Sequence, residues 1–70
     1  MSKIERLAGI PGKPEVEMLY GNEWYVVQYT GVPETTLVYG PIRKTEQAAI
    51  RSWNAMVRRI RKANAGEIDR

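Results

Sequence analysis

The carboxylates of Glu15 and Glu17 are the residues whose type and spacing come closest to a catalytic pair in this sequence. On a β-strand they would share one face about 7 Å apart, a separation that overlaps the carboxylate pairs of glycosidases. A chain of 70 residues offers no cleft for a sugar, however, and this one contains no histidine and no cysteine. The serines are limited to Ser2 and Ser52. We therefore expect solvated strand glutamates and a protein that is not an enzyme.

The composition also argues against other classes of protein. Without cysteine the chain forms no disulfide and no Cys-ligated zinc or iron–sulfur site, and its glycines do not form a phosphate-binding loop. No apolar run approaches the roughly 20 residues of a membrane span, and the first residues lack the apolar region of a signal peptide. These features predict a cytoplasmic protein that uses no cofactor, no metal and no membrane.

Charge is distributed unevenly along the chain, which carries a net charge of +3. Residues 1–40 hold five glutamates against three basic residues, whereas residues 41–62 hold seven basic residues against one glutamate. A basic surface of this kind can bind nucleic acid through its phosphates, or it can be the solvated face of an amphipathic helix. Both interpretations stay open. The candidate nucleic-acid-binding residues are Arg43, Lys44, Arg51, Arg58 and Lys62.

Three runs rich in β-branched and aromatic residues predict strands at 15–20, 23–30 and 35–39. The pair Gly21-Asn22 is typical of a two-residue hairpin turn, which would fix the register of the first two strands. In that register the face expected to form the core carries Val16, Met18, Tyr25 and Val27. The opposite face would carry Glu15, Glu17, Leu19, Trp24, Val26 and Gln28.

The orientation of the third strand depends on the length of the loop before it. A four-residue loop at 31–34 would direct Thr36 and Val38 towards the core, with Leu37 and Tyr39 on the opposite face. A change of one residue in loop length would reverse this assignment.

Residues 46–64 are predicted to form one amphipathic helix. Thr45 is a suitable N-cap, and Glu46 lies in the first turn, where the helix dipole favours a carboxylate. Apolar residues recur every three or four positions, at Ala49, Ile50, Trp53, Met56, Val57, Ile60 and Ala63. We expect Ala65-Gly66 to end the helix.

Together these elements predict an α+β fold, in which a three-stranded antiparallel meander packs one C-terminal helix on one face (βββα). Residues 1–13 would form an N-terminal arm or loop, residues 14–64 a single domain, and residues 65–70 a frayed tail. Since one helix covers one face of such a sheet, the other face would keep apolar side chains exposed. That face either binds a protein partner or a second copy of the chain, or is covered by Ile4, Leu7 and Ile10 of the arm. The candidate partner-binding residues on it are Leu19, Trp24, Val26 and Tyr39.

One stretch of the sequence, Gly40-Pro41, then Thr45, Ala49-Ile50 and Trp53-Asn54, resembles the C-terminal signature of the Lar-like restriction alleviation family. The resemblance covers roughly residues 10–57. Family members carry two cysteine pairs, and at the corresponding places this chain has Ile10-Pro11-Gly12-Lys13 and Tyr29-Thr30-Gly31-Val32. The resemblance therefore implies a metal-free relative in which hydrophobic packing replaces the zinc cross-link.

The resemblance also carries an expectation about function. Lar-like proteins are small phage and prophage proteins that modulate the type I restriction–modification enzyme of the host. By this resemblance the chain is expected to be a non-enzymatic interaction protein that binds a host protein, with nucleic-acid binding by the basic helix as the alternative.

Overall fold

The computed structural model describes residues 3–31 and 37–68. Three strands, β1 (Glu15–Leu19), β2 (Glu23–Tyr29) and β3 (Leu37–Tyr39), form an antiparallel sheet in the order β1-β2-β3. One helix, α1 (Glu46–Ile68), follows the sheet and packs against it. The predicted α+β architecture, a βββα meander with a C-terminal helix, is therefore confirmed.

The start of α1 follows from its N-cap. The Thr45 hydroxyl accepts a hydrogen bond from the backbone N–H of Ala48 at 3.1 Å, which satisfies one of the free donors of the first turn. Glu46 is the acidic residue of that turn. The predicted end at residue 64 was wrong, because the helical backbone continues through Gly66 to Ile68. A glycine inside a helix costs only about 1 kcal/mol relative to alanine, so Gly66 is not an obligatory stop. Of the predicted tail, residues 69–70 lie outside the described residues.

The core lies between α1 and one face of the sheet. Trp53 and Val57 of the helix are buried against Val26 of β2, with Ile50 completing the cluster. Partly buried residues pack around this centre, at Ile4, Leu7, Val16, Val38 and Met56. The predicted helix stripe is thus confirmed from Ala49 to Val57, but Ile60, which is 37% exposed, and Ala63 are exposed.

The register of the first hairpin differs from the prediction by one residue. Leu19 pairs with Glu23, so the connection holds three residues, and Tyr20 protrudes from it with 96% of its surface exposed. Gly21 and Asn22 both take positive φ there, at 66° and 65°. Because side chains alternate along a strand, this shift inverts β2 relative to the prediction and leaves the faces of β1 as predicted. Met18 lies on the helix side as expected but is 58% exposed, so its assignment to the core was wrong.

The inversion of β2 brings Val26 onto the helix and turns Tyr25 and Val27 away from it. Val16 pairs with Val26, and both pack against the helix core as one cross-strand pair. The packing of α1 against an aliphatic pair decides the register here, while Tyr25 keeps its phenol on the side where a polar partner is available.

Of the two orientations left open for β3, the structure shows the one that directs Val38 towards the helix. Val38 faces the helix and packs against the core, and Tyr39, which pairs with Val27, lies on the opposite face with Leu37. The pairing differs by one residue from that of a four-residue loop, because Tyr29 pairs with Leu37. Thr36 lies outside the described residues.

The N-terminal arm, residues 3–12, is held by two buried side-chain amides. The Gln28 side chain accepts a hydrogen bond from the Leu7 N–H and donates one to the Leu7 carbonyl, each at 2.9 Å. The Asn54 side chain also makes two hydrogen bonds to the arm backbone. It accepts one from the Glu5 N–H and donates one to the Lys3 carbonyl. Each amide thus replaces a neighbouring strand as the partner of the arm backbone.

Trp53 adds a third polar contact to the arm. Its indole N–H donates to the Glu5 carbonyl at 2.6 Å, which supplies the partner that a buried tryptophan requires. Ile4 and Leu7 then pack against the helix side of the core. These two residues therefore complete the core and do not cover the opposite sheet face, which had been one of the two interpretations of residues 1–13. The arm is an integral part of the folded domain.

Candidate partner-binding face

The sheet face directed away from α1 is called the outer face below. The register assigns to it three glutamates and six apolar or aromatic residues, namely Glu15, Glu17, Glu23, Leu19, Tyr25, Val27, Tyr29, Leu37 and Tyr39. Val27 lies near its centre, between Glu15 and Tyr39 in the register, and is 1% exposed. The outer face thus combines a buried aliphatic centre with an exposed aromatic surround.

A backbone irregularity after β3 adds Ile42 to this surface. Tyr39 pairs with Val27, but the next bridge joins Trp24 to Arg43, so one extra residue lies on the β3 side, as in a β-bulge. The bulge keeps the chain beside β2, where the backbones of Trp24 and Arg43 exchange hydrogen bonds of 2.7 and 2.8 Å. Ile42 remains 45% exposed.

Five of these side chains line a shallow groove of about 250 Å³. Its walls are Leu19, Tyr25, Leu37, Tyr39 and Ile42. This volume is below the ~300–1,000 Å³ of clefts that hold drug-sized ligands. The groove has the size for one or two apolar side chains of a partner, with Tyr39 62% exposed at its rim.

Tyr25 joins the groove to the glutamates. Its hydroxyl donates a hydrogen bond to the Glu17 carboxylate at 3.0 Å, and its ring meets the Tyr39 ring edge to face, with centroids 6.3 Å apart. The hydrogen bond to Glu17 raises the pKa of Tyr25 above its usual value, with smaller contributions from burial and from the charges of Glu17 and Tyr29. Tyr25 is therefore held neutral and in place by Glu17.

The structure brings together two of the four predicted partner-binding residues. Leu19 and Tyr39 lie on the outer face and line the groove, 37% and 62% exposed. The placement of Trp24 and Val26 on that face was wrong, because the three-residue hairpin turns both towards the helix, where Val26 is fully buried. The sequence reasoning that chose these two residues was correct about an apolar outer face and wrong about which β2 residues form it.

Three groove residues were not among the predicted partner-binding residues: Leu37, which was placed on the outer face in one orientation of β3, and Tyr25 and Ile42, which were missed. Tyr25 was assigned to the core by the incorrect hairpin register. Ile42 follows Gly40-Pro41, where the sequence predicts no element, and nothing in the local sequence marks the bulge. An apolar residue between a proline and a basic pair is the only signal that could have identified it.

Two of the five predicted nucleic-acid-binding residues, Arg43 and Arg58, already contact other groups of the protein. Lys44, Arg51 and Lys62 are exposed. The Arg43 side chain instead turns to the helix and donates a hydrogen bond to the Ser52 hydroxyl at 3.0 Å. The Arg58 guanidinium contacts the Glu5 carboxylate at 3.1 Å.

Glu5 of the arm offsets part of the basic helix surface. Its carboxylate also contacts Arg61 at 3.3 Å, so one glutamate serves two arginines. Both arginine side chains stay more than 60% exposed, so each pair is worth at most about 1 kcal/mol. The consequence is electrostatic: Glu5 lowers the positive charge that this part of the helix presents.

The described residues hold no group of three or more histidine, cysteine, aspartate or glutamate side chains that could bind a metal ion. Over the same part of the chain, the one helix is too polar to form a membrane span. No protein-family model, no curated protein and no solved structure matches this chain. The function must therefore be argued from the site itself.

Proposed function

We propose that this chain is a non-enzymatic binding protein that recognises a protein partner through its outer face. The observation that carries the proposal is the exposed groove lined by Leu19, Tyr25, Leu37, Tyr39 and Ile42. Tyrosine-rich apolar surfaces are typical of protein interfaces, because tyrosine provides contact area at a low cost in conformational entropy. The interaction would be centred on Tyr39, the most exposed of the groove residues.

We propose further that the partner is a host type I restriction–modification enzyme, encountered in the cytoplasm, as the Lar-like resemblance implies. Support comes from the two segments that stand in place of the family's cysteine pairs. The Gly12 N–H donates to the Tyr29 carbonyl at 3.1 Å, and Gly31 lies so close to Pro11 that a side chain at 31 would overlap the proline ring. The two loops therefore meet by direct contact, which by the resemblance would take the role of the family's metal cross-link.

The test is affinity capture with matched tyrosine variants. Tyr39→Ala removes a groove residue, whereas Tyr20→Ala removes a 96% exposed tyrosine at the hairpin turn. Immobilised wild type and both variants are incubated with a purified type I restriction–modification enzyme and, separately, with nuclease-treated bacterial lysate. We expect a bound protein that Tyr39→Ala loses and Tyr20→Ala retains. Equal retention by both variants would refute the outer face as the binding surface, and failure of the purified enzyme alone would refute that partner.

The alternative function is nucleic-acid binding by the helix, which the exposure of Lys44, Arg51 and Lys62 favours. Binding by these residues would weaken steeply with salt, because it depends on counterion release. The check is fluorescence anisotropy with labelled duplex DNA and RNA at low and high salt. Charge reversal by Arg51→Glu and Lys62→Glu should abolish such binding, while absence of binding at low salt would eliminate this function.

A further inference from the structure

We infer that the outer face accepts a basic amphipathic segment of its partner, with apolar side chains in the groove and lysine or arginine along the glutamates. The inference rests on the proposed function, and it specifies which kind of partner segment the outer face would bind. It follows from the arrangement of charge around the groove.

The glutamates form an acidic margin on the outer face. Glu15 and Glu17 are alternate residues of β1, and Glu23 is paired with the groove residue Leu19. The outward positions of the three described strands carry no lysine or arginine. The margin is therefore three negative charges with no compensating positive charge on the same sheet face.

The acidic margin and the groove are joined by Tyr25. Its ring lines the groove, and its hydroxyl binds the Glu17 carboxylate at 3.0 Å. A ligand that fills the groove must therefore lie within reach of Glu17. There, a positive charge on the ligand would be attracted by the carboxylate, and a negative charge would be repelled. Apolar and cationic groups must occur in the same short segment of the partner.

A second copy of the chain does not supply this chemistry. Two outer faces placed together supply, from their described strand positions, no lysine or arginine to pair with the glutamates of either copy. The helix side of a second copy is basic, and its exposed described positions between 47 and 62 are Gln47, Arg51, Ala55, Arg58, Arg59, Ile60, Arg61 and Lys62. Ile60 is the one large apolar side chain among these positions, and it is 37% exposed on the Trp53 side of the helix, away from Arg51 and Lys62. A nucleic acid is disfavoured by the same acidic margin.

The dimensions of the face set the length of the segment. Three strands about 4.8 Å apart, which are five, seven and three residues long, offer a surface of roughly 10 by 20 Å at most. That surface matches three to four turns of a helix at 1.5 Å per residue, or about six residues of an extended strand. Peptides of 16 residues are therefore long enough to span it in either conformation.

The experiment is a selection from a phage-displayed library of random 16-residue peptides on the immobilised full chain. Enriched peptides are synthesised, and their affinities are measured by fluorescence anisotropy for the wild type and for three variants. The first variant, Leu19→Ser with Tyr39→Ser, tests the groove. The second carries glutamine at all three outer-face glutamates. The third, Glu46→Gln, is the matched control, because Glu46 is an exposed glutamate at the helix start.

We expect the enriched peptides to combine apolar residues with net positive charge. The glutamine variant should weaken them by about tenfold at low salt and less at high salt, since each exposed charge pair is worth roughly 0.2–1 kcal/mol. Glu46→Gln should leave their affinity unchanged. Circular dichroism of every variant confirms that the fold is retained.

Different results would contradict the charge preference of the outer face and its role as a binding surface. Peptides that need Leu19 and Tyr39 but are neutral or acidic, or that bind the glutamine variant equally well, overturn the inference and leave the proposed function standing. Peptides that bind the serine variant as tightly as the wild type, or a selection without enrichment, count against the proposed function itself. Sedimentation of the wild type as a dimer that the serine variant abolishes would make a second copy the occupant and also overturn the inference.

Discussion

Replacing Gln28 by methionine is the most direct test of how the N-terminal arm is held. Gln28 is fully buried, and its amide makes both a donated and an accepted hydrogen bond to the backbone of Leu7, each at 2.9 Å. Methionine keeps the length and nearly the volume of glutamine but provides no comparable polar group. The substitution therefore removes two hydrogen bonds with little change in packing.

The expected loss of stability follows from those two bonds. A buried hydrogen bond contributes roughly 0.5–1.5 kcal/mol net, so the pair is worth about 1–3 kcal/mol. For a domain of this size, 1 kcal/mol corresponds to about 4–8 °C in the midpoint of thermal unfolding. We therefore expect Gln28→Met to lower the midpoint by about 8–16 °C for a loss near the centre of that range.

The assay is urea and thermal unfolding followed by circular dichroism and by the fluorescence of Trp53 and Trp24. Gln47→Met is the matched control, because Gln47 is exposed on the helix and the two residues have similar helix propensity. The control should change the free energy of unfolding by less than about 0.5 kcal/mol. Amide hydrogen exchange at Leu7 should accelerate in Gln28→Met alone.

An equal, small effect of the two glutamine substitutions would refute the reasoning. It would mean that the amide of Gln28 gains no more from the arm backbone than from water. A large effect without faster exchange at Leu7 would likewise show that the lost stability comes from packing rather than from the arm.

Three further predictions concern the helix cap, a loop contact and a titrating group. Thr45→Ala should cost about 1 kcal/mol in urea unfolding while Thr45→Ser retains most of the stability, and equal losses would contradict the hydroxyl cap. Gly12→Ala should cost about 1–3 kcal/mol, because its new methyl group would overlap a β2 carbonyl oxygen, and an unchanged unfolding midpoint would contradict that contact. Glu17→Ala should lower the pKa of Tyr25 towards 10.0 in an NMR titration of the tyrosine ring, whereas Glu15→Ala should leave it raised. Since the folded-state pKa is raised, stability from this hydrogen bond is present below pH 10 and is lost as the pH rises through the raised value.

The sheet register shows why a sequence can predict elements and still misplace a site. Alternation predicted both β1 faces, whereas the direction of β3 stayed open because it depended on the loop before it. The hairpin turn decided the rest, and a pair such as Gly21-Asn22 fits both a two-residue and a three-residue connection when each residue takes positive φ. One residue of difference moved Val26 into the core and Tyr25 into the groove.

The arm shows a second limit of local patterns. Nothing in the sequence around Gln28 or Asn54 distinguishes a buried amide from an exposed one. Both become buried only because residues 3–7 return to the helix, about 50 positions along the chain from Asn54 and about 20 from Gln28, and need partners for their backbone groups. Such pairings depend on three-dimensional proximity, which local spacing does not encode.

The sequence by itself determined the elements of this protein, which are a Thr45-capped amphipathic helix and three strands. It also determined the uneven charge, with an acidic segment at 1–40 and a basic segment at 41–62. These features follow from periodicity, capping and charge, all of which act over a few residues. The tertiary structure alone decided which face of β2 meets the helix, where the arm lies, and that Ile42 joins the groove. Those outcomes depend on packing and on hydrogen-bond satisfaction between distant segments, and small shifts of one residue change them completely.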